Sequence, residues 1–173
     1  GTERELLCRA IEEDIGKQAW DAALVLCDEL ADRFGYRQDA EEFRARIDMA
    51  RVEIQERKVA DAIARLDGLI VQRRWDVATR EAQRIRRLYP DAPRVERLRE
   101  RVDQARAVYK NDLERRFLEA ASSAQRVDEA MMLLKEMDAY FSEQEAAPFQ
   151  EVARGVIGKA RDNLGAQFKI AVQ

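Results

Sequence analysis

Apolar residues recur along this chain at intervals of three and four. Trp75, Ala78, Ala82, Ile85 and Tyr89 step by 3, 4, 3 and 4, and Val95, Leu98, Val102, Ala105 and Tyr109 repeat the same steps. Such spacing puts each set on one face of an α-helix and leaves the other face polar. Read along its length, the pattern predicts helices near 3–16, 20–34, 38–73, 75–89, 93–122, 126–141 and 146–172. The connections between them are short, and short connections make consecutive helices pack antiparallel. The expected fold class is therefore all-α, built of tandem helical hairpins laid side by side. The long segment 38–73 reads either as one helix or as two joined at a bend near Lys58 or Gly68.

Breaks between the helices carry their own punctuation. Gly35, after Phe34, supplies a residue free to take positive φ at a helix end. The segment Tyr89-Pro90-Asp91-Ala92-Pro93 stops one helix and offers Asp91 as a cap for the next, with a proline near its start. Ser142 with Glu145 reads as a capping box, and Pro148 shortly afterwards would kink a helix begun there.

Sliding the chain along itself by 55 residues brings Trp20, Asp21, Ala23, Glu41, Arg44, Arg46, Asp48, Ala50 and Arg51 onto identical residues from Trp75 to Arg106. Cys8, Ile11 and Ile15 fall on Ile63, Leu66 and Ile70 in the same register, and a third copy, offset by 52, places Val127, Asp128 and Ala130 on Trp75, Asp76 and Ala78. After a small insertion, Ala160 and Arg161 match Ala105 and Arg106. Fixed-period self-similarity is the mark of a repeat architecture, in which a unit that cannot bury its own apolar face is covered by the next. The chain is thus expected to be a single array over 1–173, with units near 3–55, 56–110 and 111–162 and the start of a further helix running to 173. Trp20 and Trp75, at matching points of two units, are expected to fill the core between hairpins, with Ala23 and Ala78 letting backbones approach.

The spacing Trp75, Ala78, Ala82, Ile85, Pro90 resembles the second-helix signature of the tetratricopeptide repeat. Weaker copies are Trp20, Ala23, Cys27, Leu30, Gly35 and Val127, Ala130, Leu134, Met137, Ser142. The likeness covers about half of each unit, and the unit is longer than the family's about 34 residues. It implies a right-handed, TPR-like α-solenoid. With 25 arginines against six lysines, the chain also resembles long helical-repeat proteins of GC-rich bacteria.

Composition removes most chemistry. Seven glycines and three prolines among 173 residues leave few turns for a sandwich or barrel. Histidine is absent, and no GxSxG, Walker A or HExxH pattern occurs. Carboxylate runs such as Glu12, Glu13 and Asp14 belong to solvated helix surfaces rather than to a cleft that could split their pKa values. Cys8 and Cys27 lack both a base and a CxxC partner, so they read as free apolar thiols in a reducing, cytoplasmic setting. Neither catalysis, nor a metal, nor a cofactor is expected. No apolar run is long enough for a transmembrane helix, so no membrane contact is expected within this segment, while Gly1 in place of methionine suggests a trimmed chain and leaves a removed leader or anchor open.

Charge is unevenly spread although the net is only −3. Residues 1–35 hold nine acids and four bases, residues 72–106 eleven arginines and six acids, and residues 123–151 seven acids and two bases. Within the basic middle, Arg73, Arg80, Arg84 and Arg87 fall at helical intervals opposite the Trp75 stripe, where the first unit has Val25, Glu29 and Asp32 in place of the last three. These four arginines are the candidate partner-binding residues. Guanidinium forks suit an acidic protein segment, and nucleic acid is the weaker alternative for a chain this acidic overall. The expected function is a non-catalytic protein-interaction or scaffold module; the other reading is a structural spacer within a larger or membrane-anchored protein. Leu164, Phe168 and Val172 extend the apolar spacing to the carboxyl end without a polar cap, from which end-to-end self-association is expected.

Overall fold

The computed structural model describes residues 2–172, with side chains as far as residue 166. It is all-α, with no strand among the described residues. The helices are α1 (Thr2–Gly16), α2 (Trp20–Asp32), α3 (Arg37–Val71), α4 (Trp75–Leu88), α5 (Leu98–Ala121), α6 (Val127–Tyr140), the single turn α7 (Glu143–Ala146) and α8 (Gln150–Val172). Short 3-10 turns occupy Pro93–Val95 and Ala147–Phe149. Helix α3 is uninterrupted, and both Lys58 and Gly68 lie inside it. The chain divides into two compact units, Gly1–Arg65 and Leu66–Gln173.

In the first unit α1 and α2 pack against each other and against the early turns of α3. Ile11 from α1, Ala23, Cys27, Leu30 and Ala31 from α2, and Ala40, Phe43 and Ile47 from α3 form one buried cluster. Half-buried Leu7, Cys8, Ile15 and Trp20 close its edges. Between α1 and α2 the chain turns at Gln18, whose φ of 58° is left-handed. There the Gln18 N–H donates to the Ile15 carbonyl at 3.0 Å and the Ala19 N–H to the Asp14 carbonyl at 2.9 Å, the paired bonds of a Schellman ending. Gly35, with φ 77°, ends α2 as its sequence position predicts, and the Tyr36 N–H reaches back to the Leu30 carbonyl at 2.9 Å.

The second unit opens with the same turn 55 residues later. Arg73 has φ 59°, its N–H donates to the Ile70 carbonyl at 2.9 Å, and the Arg74 N–H donates to the Leu69 carbonyl at 3.1 Å. Helix α4 then starts at Trp75 as α2 starts at Trp20, after residues of nearly equal dihedrals: φ −85°, ψ 69° at Ala19 and φ −89°, ψ 71° at Arg74. A cross-helix ion pair recurs in the same register, Arg46 to Glu12 at 3.4 Å in the first unit and Arg101 to Asp67 at 2.7 Å in the second. The sequence repeat is therefore also a repeat of backbone conformation and of one side-chain contact.

Within the second unit α5 serves two neighbours. Its first half buries Leu98 and Val102 and packs with α4, which buries Ala78, Ala82 and Ile85. Its second half sends Leu113, Phe117 and Ala120 into a cluster with Ala130, Leu133 and Met137 of α6 and Val156 of α8. Phe149 of the 3-10 turn meets Phe117 edge-on, with ring centroids 6.5 Å apart.

Two starts differ from expectation. Asp91 caps nothing: Pro93 opens a 3-10 turn after Ala92, α5 begins only at Leu98 after Arg97, and neither start has a side-chain cap bond. The proline locks the backbone locally and pushes the helix start several residues beyond the reach of Asp91. The box at Ser142 does form, Glu145 N–H to Ser142 Oγ at 3.2 Å and Ser142 N–H to Glu145 Oε1 at 3.0 Å. Pro148, which lacks an N–H to continue the ladder, falls in the 3-10 turn, and α8 resumes at Gln150. At the carboxyl end Leu164 is 68% exposed, while the side chains of Phe168 and Val172 lie outside the described residues.

Candidate functional site

Helix α4 is divided cleanly into two faces. Ala78, Ala82 and Ile85 are buried, and Arg80, Arg84 and Arg87 stand exposed on the opposite side at intervals of four and three. Positions so spaced form one ridge along a helix, here about 10 Å long. Arg84 is held by Glu81 through two bonds, Nε to Oε2 at 3.1 Å and Nη2 to Oε1 at 2.6 Å. Arg80 and Arg87 make no ion pair among the described residues, so two of the three guanidinium groups keep their donors in water. Arg86 points along another flank and donates to the Glu96 carbonyl at 3.3 Å.

The fourth candidate does not belong to this ridge. Arg73 occupies the left-handed turn before Trp75, where the 3.6-residue period is interrupted, so the interval that seemed to align it with Arg80 does not apply. Its guanidinium instead lies 4.4 Å from the centroid of the Tyr109 ring on α5 and 3.7 Å from Glu136 Oε1 on α6. A cation over an aromatic face, with a carboxylate beside it, is a packing arrangement that ties the turn to two helices.

Around that contact the second unit assembles an aromatic and charged network. Trp75 and Tyr109 have centroids 5.9 Å apart, and Tyr109 meets Tyr140 edge-on at 5.4 Å. Among the described residues Trp75 Nε1 is buried without a hydrogen-bond partner, and the Tyr109 hydroxyl is buried beside the Glu136 carboxylate. Burial, and then the nearby Glu136 carboxylate, push the Tyr109 phenol up to about 12 against the opposing pull of Arg73. Beside it Arg106 donates to both oxygens of Glu145, at 2.7 and 3.0 Å, and to the Tyr140 carbonyl at 3.2 Å. Lys110 adds a contact of 3.7 Å to Glu145. Arg106, and after it the Ser142 N–H, pull the Glu145 carboxyl down to about 2 against its partial burial.

A cleft of about 400 Å³ opens here, lined by Arg73, Arg74, Trp75, Asp76, Arg106 and Tyr140 among others. Its arginines are largely committed: Arg73 to Glu136 and Arg106 to Glu145. Arg73–Glu136 joins the turn before α4 to α6, Arg106–Glu145 joins α5 to α7, and the chemistry of both pairs is structural. Sequence reading missed them because their partners lie far apart along the chain; the signal available was Arg51, Arg106 and Arg161 recurring at intervals of 55.

Other groups are spoken for by the core. Cys27 is fully buried and Cys8 half-buried, and burial pushes both thiols up, which keeps them protonated at neutral pH. Trp20 packs at the rim of the first cluster. Among the described residues no helix is long and apolar enough to cross a membrane, and no group of three or more metal-ligating side chains converges. On the α4 ridge Arg80 and Arg87 thus keep donors that no ion pair among the described residues engages. No family model, curated protein or solved structure matches the chain.

Proposed function

We propose that this chain is a non-catalytic helical-repeat module, tandem hairpins stacked as a TPR-like α-solenoid, that holds an acidic helix or segment of a protein partner along α4. The observation that carries the reading is the ridge of Arg80, Arg84 and Arg87, of which two make no ion pair among the described residues. Guanidinium donors in water gain little until a carboxylate surface excludes that water, and several together supply the geometric selectivity that one alone lacks. The recurrence of turn, helix start and ion pair at 55 residues supports the repeat half of the proposal. Two unactivated thiols suit a reducing compartment such as the cytoplasm.

A fluorescently labelled glutamate-rich peptide, titrated at low salt and followed by anisotropy, tests the ridge. Binding is expected to weaken at least about tenfold in R80E/R84E/R87E, as the loss of several charge-assisted contacts implies. Arg73→Ala, which removes an arginine already engaged elsewhere, is expected to leave the affinity within about twofold of the parent. An affinity indifferent to the triple reversal would overturn the proposal.

A further inference from the structure

Helix α2 is the counterpart of α4, and its outer face has the opposite charge. The positions equivalent to Arg80, Arg84 and Arg87 are Val25, Glu29 and Asp32, all exposed, and the same side of α2 adds Asp21 and Asp28. No lysine or arginine interrupts α2. Asp28 is bonded to Arg44 at 2.6 Å, and Glu29 stands 4.0 Å from Arg33 just beyond the helix. Asp21 and Asp32 make no ion pair among the described residues. In the middle of this acidic stripe Val25 is 61% exposed, an apolar spot beside which the methylene stems of arginines can lie.

We infer that the acidic partner of the α4 ridge is α2 of a second copy of this chain. This rests on the proposed role of that ridge and names what it holds. The lengths agree, 13 residues in α2 and 14 in α4, so the two stripes can run side by side over their whole extent. The signs also dictate the pairing. Two α4 ridges repel each other, as do two α2 stripes, and only α2 against α4 brings opposite charges together, which makes the rejected arrangements part of the specificity. Because the contact joins two different surfaces, each copy offers both halves, and association either closes after two copies or continues.

Sedimentation velocity over a hundredfold range of concentration, at about 50 mM and about 500 mM salt, reads the outcome, since the higher salt shortens the screening length several-fold. Average mass is expected to rise with concentration at low salt and to return to that of a single chain at high salt. R80E/R84E/R87E alone and D21K/E29K/D32K alone should each remove the association, and an equimolar mixture of the two should restore it as a mixed species. Circular dichroism of each variant, expected to match the parent because all six positions are exposed, separates lost contact from lost fold. A single-chain mass throughout, or association untouched by either reversal, overturns self-recognition. In that event retained binding of the glutamate-rich peptide by the parent leaves the basic ridge as a site for another protein, whereas loss of both sinks the ridge as well.

Discussion

Helices α2 and α4 share a frame and differ in what they show to solvent. Each follows a turn with a left-handed residue, starts at a tryptophan, and buries matched positions: Ala23 with Ala78, Cys27 with Ala82, Leu30 with Ile85. On the outer side Val25, Glu29 and Asp32 occupy the positions that correspond, 55 residues on, to Arg80, Arg84 and Arg87. Interiors are close-packed, so a buried position admits few residues, while an exposed one is almost free of the fold. The two helices therefore share their inner faces and carry opposite charge on their outer ones, and the proposed partner contact rests on that difference.

The sharpest way to break this comparison is to cut into the shared interior. Leu30→Ala and Ile85→Ala remove equivalent, fully buried side chains, and each is expected to cost about 2–5 kcal/mol in urea unfolding. A near-zero cost in one of them would mean that the two inner faces are not equivalent.

Next in size comes a contact confined to the second unit. Glu145→Ala leaves Arg106 without its bidentate partner and is expected to cost about 2 kcal/mol at neutral pH. The parent owes part of its stability to holding the Glu145 carboxyl at about 2 in place of the usual 4.5. A carboxyl lowered by folding contributes fully above its unfolded value and loses that contribution as pH falls toward the folded one. The gap between parent and Glu145→Ala should thus be widest above about pH 5 and shrink steadily toward pH 2. Thermal melts across that range check it, and a gap independent of pH would show that the ion pair contributes nothing.

The smallest effects concern the two matching turns. Both Gln18 and Arg73 hold positive φ without being glycine, a conformation costing roughly 1 kcal/mol. Gln18→Gly is expected to raise stability by about 0.5–1 kcal/mol. Arg73→Gly relieves the same backbone but forfeits the Tyr109 and Glu136 contacts, so its gain should be smaller or reversed in sign. Equal gains from the two substitutions would mean that the Arg73 stack is without energetic weight.

Local rules account for what could be read in advance. Helix starts at Trp20 and Trp75, the left-handed Gly35, the Ser142 box and the buried series of α4 all follow from a 3.6-residue period and from the chemistry of helix ends, both of which act over a few neighbouring residues. The exposed arginines at 80, 84 and 87 were legible for the same reason. Arg73 was not, because one left-handed residue breaks the period that would have placed it on their ridge.

By itself, then, the amino-acid order determined the all-α class, the 55-residue recurrence and the charge of each outer face. Only the tertiary structure decided that Arg73 lies over Tyr109, that Arg106 clasps Glu145 from 39 residues away, and that Asp91 is idle. Periodicity is a property of adjacent residues, whereas the meeting of two distant side chains depends on how whole helices pack, and that sum over many weak contacts is not written at any one position.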